Sequence, residues 1–248
     1  MQETIKELVD KPTAQTEQKF LGTFFEIEKE DFSKASITLD YVDNETKRFA
    51  FNNIVKNYHT YKPETELFGK RIDYIIKANS KIVGAIGLGC PVIAMKPRDS
   101  FIGWNEEQRL KNLTKIGSNW RFCLMYEKLG SKVLSVFCRQ ARQDYKRIYN
   151  QNLLLIETLV EPPYKGTCYL AAGFVKVGQT TGHTFEVIDS FDTKEHAMQY
   201  KEKNSIKNVV NRSFKDGKTF LLKSIVGTKK IIFVKPLHRY FRKELCKL

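Results

Sequence analysis

Apolar and polar residues alternate along this chain with two periods, and these mark out its strands and helices. Alternation with period two, bounded by turn residues, predicts strands over 37–42, 71–77 and 81–88. Asn79-Ser80 separates the last two strands and is typical of a hairpin turn. The same signals predict further strands over 21–27, 120–125, 153–160, 174–177 and 230–234.

A period of about 3.6 residues predicts the helices. The strongest pattern covers 131–149, where Leu134, Phe137 and Ala141 belong to one apolar stripe and Ser131 is the predicted N-cap. Weaker patterns predict helices over 45–59, 106–116, 167–172 and 194–203, the second of them capped by Asn105.

Strands and helices alternate without the regular order of a parallel sheet, which favours an α+β (mixed α/β) fold with a central sheet flanked by helices. The order of elements is loosely acyltransferase-like. Residues 98–103 lack the glycine spacing of a pyrophosphate loop, however, so this likeness stays an analogy of fold. We expect an acidic N-terminal extension in 1–47, an α/β core carrying the site in 48–190, and a basic C-terminal extension in 191–248 that completes the domain.

Positive charge is concentrated in the later part of the chain. The protein has 42 Lys and Arg against 28 Asp and Glu, a net charge of +14. Residues 1–50 contain 7 basic and 11 acidic residues, whereas 194–248 contain 15 basic and 4 acidic residues. An excess of this size and placement favours a polyanionic partner bound through its phosphates, and we predict that the partner is DNA.

Several classes of protein are disfavoured. No apolar run is long enough to cross a membrane, and residues 1–10 lack the pattern of a signal peptide, so we expect a cytoplasmic protein without a membrane partner. The five cysteines are widely spaced and form no C-x-x-C pair, which indicates neither a zinc site nor a disulfide framework. We therefore predict no metal and no small-molecule cofactor.

A set of short segments in the later part of the chain forms a recognisable combination. The segments are Tyr58-His59, the hairpin ending near Gly89, 98–104, Arg109 with 112–113, Asn119 with 121–122, 157–160, 166–169, 171–174, 178–182, and 236–238 with 241–242. In this order they resemble the DruA-like family, which is named after a component of the Druantia anti-phage systems and also occurs beside transposases. The resemblance covers about residues 50–248, and two positions depart from the family pattern: Leu170 stands where the family usually has Arg, and Phe174 where it often has Trp. The resemblance implies a DNA-directed role in phage defence or mobile-element biology and gives no reaction.

Base excision is the reaction that these residue types suit best. A flipped base is stacked against aromatic groups and bound by amides, while a carboxylate stabilises the oxocarbenium-like state of the sugar. We predict Glu157 or Asp99 as that carboxylate and His59 as a candidate acid or base. The predicted activity is that of a DNA glycosylase, a hydrolase that leaves an abasic site in phage DNA.

The remaining candidates would bind the nucleic acid. This set supplies aromatic faces for stacking, amides that read the base, and basic or hydroxyl groups that bind the phosphates. Its members are Trp104, Arg109, Asn112, Asn119, Arg121, Tyr164, Thr167, Tyr169, Lys229, Lys230, His238 and Arg239.

Two alternatives stay open. Glu157 interrupts an apolar strand, and it can equally form a structural ion pair with Arg109 or Arg121, because an unpaired buried carboxylate is costly. The protein can also be a DNA-binding or nicking component without glycosylase activity. The sequence contains no carboxylate or histidine pattern that marks a metal-dependent nuclease.

Overall fold

The computed structural model describes residues 32, 34–60, 69–206, 209–213 and 219–248. It confirms an α+β fold with a central sheet flanked by helices. The described residues form two compact units. The first contains those within 1–159, 166–177 and 232–248, and the second contains 160–165 and those within 178–231. The boundaries that we expected at residues 47 and 190 stay predictions.

The described residues contain ten strands, which form two sheets. The strands are β1 (Ile37–Tyr41), β2 (Ile72–Ala78), β3 (Lys81–Gly89), β4 (Ile116–Leu124), β5 (Leu155–Val160), β6 (Val175–Gln179), β7 (His183–Phe191), β8 (Val209–Ser213), β9 (Thr219–Val226) and β10 (Ile231–Pro236). The seven-stranded sheet has the order β1-β2-β3-β4-β5-β10-β6, and a three-stranded sheet has the order β7-β9-β8. Strands β1 to β4 pair antiparallel, whereas β5 joins β4 in parallel.

Seven α-helices and one 3-10 turn complete the described elements. They are α1 (Glu45–Tyr58), α2 (Lys96–Ile102), α3 (Glu106–Asn112), the 3-10 turn Leu113–Lys115, α4 (Gly130–Tyr149), α5 (Thr167–Ala171), α6 (Lys194–Lys203) and α7 (Phe241–Leu245).

Helices α1 and α4 cover opposite faces of the large sheet. Ile75 of β2 packs with Phe51 and Ile54 of α1. Its neighbour Tyr74 contacts Phe137 of α4, with the ring centroids 6.1 Å apart. Successive residues of a strand point to opposite faces, so these two contacts place the helices on different sides.

Most predicted elements are present, and the differences have physical causes. Ser131 is not the cap of α4, because that helix already begins at Gly130 and its N-cap residue, Leu129, makes no side-chain capping bond. Asn105 does cap α3, through a reciprocal pair of hydrogen bonds with Gln108. The strand predicted over 21–27 lies outside the described residues.

Candidate active site and nucleic-acid interface

Glu157 lies on β5, an interior strand of the large sheet, and is completely buried. Its Oε2 accepts a hydrogen bond of 2.8 Å from Nη1 of Arg98, and its Oε1 accepts one of 2.9 Å from the backbone N–H of Val92. Arg98 is equally buried, on the inner side of the short helix α2. The pair therefore matches the ion-pair alternative, although the partner is Arg98 and neither Arg109 nor Arg121.

Burial raises the pKa of Glu157, and the Arg98 guanidinium and the Val92 N–H oppose this rise. With both oxygens bonded and no exposed surface, the carboxylate has no path to a solvent-borne substrate. These contacts favour a structural role for Glu157, in which it holds Arg98 in place.

Asp99 is the better exposed carboxylate, with 14% of its side chain accessible. Its Oδ1 accepts bonds of 2.9 Å from Nε of Arg98 and 2.9 Å from Nε1 of Trp104. Its Oδ2 accepts a bond of 3.1 Å from the N–H of Met95 and lies 3.6 Å from Nη1 of Arg109. Asp99 thus joins two arginines and an indole at one point, and its position is fixed from four directions.

An open cleft of about 610 Å³ adjoins this carboxylate. Its walls bring together three of the predicted residues, Asp99, Trp104 and Arg109, and add the exposed Lys96. Trp104 is only 7% exposed and packs with Ile116 and other core residues, so it presents an edge and not a free stacking face. The cleft combines one fixed negative charge with two cations, an arrangement that suits a ligand carrying both a phosphate and a developing positive charge.

The amides that we predicted as base readers are both committed inside the protein. Asn119 is 5% exposed and donates to the carbonyls of Gly87 and Arg121, each at 2.9 Å. Its Oδ1 accepts a 2.7 Å bond from the hydroxyl of Tyr169, whose ring stacks on Phe233 in the core. These contacts assign Asn119 and Tyr169 to the packing of the sheet.

Asn112 is likewise buried, at 2% exposure. Its Nδ2 lies 3.0 Å from the carbonyl oxygen of Leu245 and 2.7 Å from that of Lys247, and its Oδ1 accepts a bond from Lys115. Asn112 therefore links α3 to the residues around α7. Its amide groups are taken up by these bonds and are not available to read a base.

Other predicted residues are not among those that line the cleft. His59 is the C-cap of α1 and is not among the described partners of Asp99 or Glu157. Thr167 is the exposed first residue of α5, and Tyr164 is 59% exposed. The guanidinium of Arg121, on β4, lies 4.4 Å from the ring centre of Trp120.

The predicted phosphate-binding residues fall into two groups. In the second unit, Lys230 forms a 2.9 Å ion pair with Glu161, while Lys229 is exposed. In the first unit, His238 and Arg239 precede α7, and the Arg239 guanidinium lies 4.6 Å from the ring centre of Tyr240, which is 52% exposed.

The structure adds residues that the sequence patterns did not single out. Arg142 of α4 donates a 3.2 Å bond to the carbonyl of Leu237, which places it beside His238 and Arg239. Arg139 is exposed three residues earlier on the same helix, and helical spacing puts both arginines on one side. This basic-aromatic surface consists of Arg139, Arg142, His238, Arg239 and Tyr240. No carboxylate in the described part of the chain pairs with its three arginines.

Among the described residues, no cluster of three or more histidines, cysteines and carboxylates is arranged to hold a metal ion. None of the described helices is long and apolar enough to span a membrane.

The family model described as "Druantia protein DruA" matches residues 2–245. The resemblance therefore begins well before residue 50, where we had expected its start. The Druantia protein DruA of Escherichia coli (strain UMEA 4076-1) is 27% identical over 101 residues, which cover 38% of this chain and 25% of that protein. The chain thus matches about a quarter of the length of this curated relative.

Solved structures with a similar arrangement include acyltransferases. FeeM, an N-acyl amino acid synthase from uncultured soil microbes, is 9% identical with a TM-score of 0.41, covering 83% of this chain and 93% of its own. The ribosomal-protein-S18-alanine N-acetyltransferase of Escherichia coli is 8% identical with a TM-score of 0.41, covering 82% and 94%. A likeness at this level does not bear on activity.

Proposed function

The chain belongs to the DruA family, and we propose that it is a DNA-binding component of an anti-phage defence system. The observation that carries the proposal is the basic-aromatic surface. Arg239 lies against the exposed ring of Tyr240, Arg142 bonds to the nearby carbonyl of Leu237, and Arg139 is exposed three residues before Arg142 on α4. Arginines without carboxylate partners are available to phosphates, and an exposed aromatic ring beside them suits contact with a nucleotide.

The spacing of the surface supports this assignment. Arg139 and Arg142 are three residues apart on α4, about 4.5 Å along the helix axis at 1.5 Å per residue. Leu237 connects the second of them to the segment that carries Arg239. Two separate elements of one compact unit thus supply cations to one surface, which allows several phosphates of a duplex to be contacted at once.

Binding to duplex DNA over a range of salt concentrations tests the proposal. We expect Arg142→Gln and Arg239→Gln each to weaken binding to all sequences alike and to reduce the slope of log K against log salt by about 1. Lys56→Gln is the matched control, since Lys56 is an exposed cation on α1, on the other face of the sheet. Equal effects of all three variants, or affinity that does not change with salt, contradict the proposal.

The cleft at Asp99 supports a second candidate function, the excision of a base as a DNA glycosylase. Water would attack the sugar carbon, the bond to the base would break, and the base would leave with its electron pair and take up a proton. Asp99, held by donors on both oxygens and facing the cleft, supplies a fixed negative charge for the sugar cation. Glu157 has the positioning role in this scheme, because it orients Arg98.

Incubation with unmodified and modified phage DNA, with and without EDTA, separates the candidates. Strand breaks that appear only after alkali indicate abasic sites, whereas direct breaks indicate nicking. We expect Asp99→Asn to reduce base release by about 10² or more while DNA binding is kept. Binding without any break leaves the non-catalytic DNA-binding role, and full base release by Asp99→Asn excludes this residue as the catalytic group.

A further inference from the structure

A second cluster of charged residues lies on the large sheet, on the face covered by α1, and has no role in the functions proposed above. This arginine cluster consists of Arg48 of α1, Arg71 before β2, Arg121 of β4, and the groups they contact, Asp73 and Trp120. Arg48 and Arg71 both donate to Oδ2 of Asp73, which is completely buried. Asp73 also accepts a 3.2 Å bond from Nε1 of Trp120.

The strand register builds this arrangement. Asp73 of β2 lies opposite Gly87 of β3, and Gly87 lies opposite Arg121 of β4. The pairing of β3 with β4 shifts by one residue at Gly87, so Trp120 and Arg121 both face the same short stretch of β3. A Cβ atom on Gly87 would lie 2.4 Å from Oδ1 of Asp73 and 2.4 Å from Nε1 of Trp120. The absent side chain is therefore what lets the indole reach the carboxylate.

Charge in the arginine cluster is not balanced. Three guanidinium groups surround one carboxylate, and no second carboxylate of the described residues pairs with any of them. Arg71 and Arg121 both lie against Trp120, with guanidinium carbons 4.6 Å and 4.4 Å from its ring centre. Burial and the neighbouring positive charge of Arg71 lower the pKa of Arg121. The cluster therefore carries two positive charges in excess, within a partly buried region.

Arg121 has capacity for a further acceptor. Its Nη1 donates to the carbonyl of Trp120, but its buried Nε has no hydrogen-bond partner in the described part of the chain. Arg48 and Arg71 keep 35% and 24% of their side chains exposed, so the cluster opens to solvent. A guanidinium presents its N–H groups as a fork that matches two oxygens of a phosphate.

We infer that the arginine cluster is a binding site for a phosphate monoester, the group at the end of a nucleic-acid strand or on a free nucleotide. Such a group carries a charge of about −1.5 to −2 at neutral pH, which offsets the two excess positive charges better than the single charge of a phosphodiester. The site does not depend on the basic-aromatic surface, because it is formed by different residues.

Inorganic phosphate is the first probe, titrated into the full chain against chloride at equal ionic strength, with the unfolding midpoint as the readout. We expect a saturable rise with phosphate only, and binding weakened about tenfold or more by Arg121→Gln, since a charge-assisted pair is lost. Arg147→Gln is the matched control, because Arg147 is an exposed arginine of α4 outside both sites, and we expect this variant to leave phosphate binding unchanged. The absence of a saturable response, or an unchanged response in Arg121→Gln, overturns the site. Should Arg121→Gln not fold, Arg121→Lys keeps the charge, removes the fork, and is expected to weaken binding in the same direction.

The second arm identifies the source of the phosphate. An oligonucleotide is compared with and without a 5′-phosphate, alongside a nucleoside 5′-monophosphate. Preference for the phosphorylated oligonucleotide over the nucleotide supports a strand end, and equal binding of the nucleotide supports a free nucleotide. DNA binding that requires Arg239 but ignores the 5′-phosphate and Arg121 rejects this inference and leaves the proposed DNA interface intact.

Discussion

Glu157 and Asp73 are both completely buried carboxylates bonded to arginine, yet their surroundings differ. Glu157 pairs with Arg98, which also binds Asp99, so negative charge there is at least equal to positive charge. Asp73 is contacted by two arginines and adjoins a third. Burial of a carboxylate alone therefore does not mark a binding site. The balance of charge around it separates a closed structural pair from a surface that can take up an anion.

The largest loss of stability is expected when the buried ion pair of Glu157 and Arg98 is broken. Arg98→Met leaves Glu157 buried without its cation, and we expect the free energy of unfolding to fall by about 3–5 kcal/mol. Denaturant unfolding measures this loss. The double variant Arg98→Met/Glu157→Gln should recover part of it, because the isolated charge is removed. A loss below about 1 kcal/mol would show that the pair is not structural.

Removal of the carboxylate from the arginine cluster should cost less and should respond to anions. Asp73→Asn weakens two charge-assisted hydrogen bonds, and we expect a loss of about 2 kcal/mol in unfolding free energy. Added phosphate should stabilise this variant more than the wild type, since three arginines are then uncompensated. Chloride at equal ionic strength is the control. Equal stabilisation of both proteins by phosphate would contradict the excess of positive charge.

Alkaline pH tests the core beneath the arginine cluster. Burial raises the pKa of the Cys123 thiol to about 11 from an ordinary value of 9.0. The folded state therefore binds this proton more tightly than the unfolded state. Its contribution to stability is full below pH 9 and is lost as pH rises toward 11, by about 2 kcal/mol. Unfolding measured across this range should show a shallower decline in Cys123→Ala. Parallel curves for the two proteins would place the alkaline transition elsewhere.

The smallest change in stability is expected for Arg121→Gln. Arg121 has no bond to Asp73 among the contacts of that carboxylate, and its Nε is unsatisfied in the described part of the chain. We expect a change within about 1 kcal/mol, in contrast to the loss in Arg98→Met. Denaturant unfolding of both variants under identical conditions makes the comparison. A loss of similar size in both would mean that the two arginines are equally structural.

Local patterns were sufficient to predict α1, α4, the β2–β3 hairpin and β5, because each has a clear period or a distinct turn. The three-stranded sheet β7-β9-β8 was missed, since its strands include many charged and polar residues that obscure the alternation. Helix α2 was missed for a related reason: Arg98 occupies its buried face, where a periodic pattern expects an apolar residue.

The candidate site was likewise predicted only in part. The sequence singled out Asp99, Trp104 and Arg109, and the structure brings them together around one cleft. It did not identify Arg98 as the partner of Glu157, because these residues are 59 positions apart and their contact depends on how α2 meets β5. Asn112 and Asn119 were assigned to base reading from residue type alone, whereas their amides bond to backbone carbonyls inside the protein. Residue type indicates capacity for a contact, and only packing decides which contact is made.

Gly87, which lies between Asp73 and Arg121 in the sheet, restricts the order in which substitutions can be accepted in this region. Any side chain at position 87 meets the indole of Trp120 and the carboxylate of Asp73 at once, so a single substitution there is penalised while both neighbours are present. Positions 73, 87 and 120 should consequently show strong epistasis: replacement of Gly87 becomes tolerable only after the indole or the carboxylate has changed. A saturation library of the three positions would expose this as a coupled set, in which permitted triplets are far fewer than the permitted single changes imply.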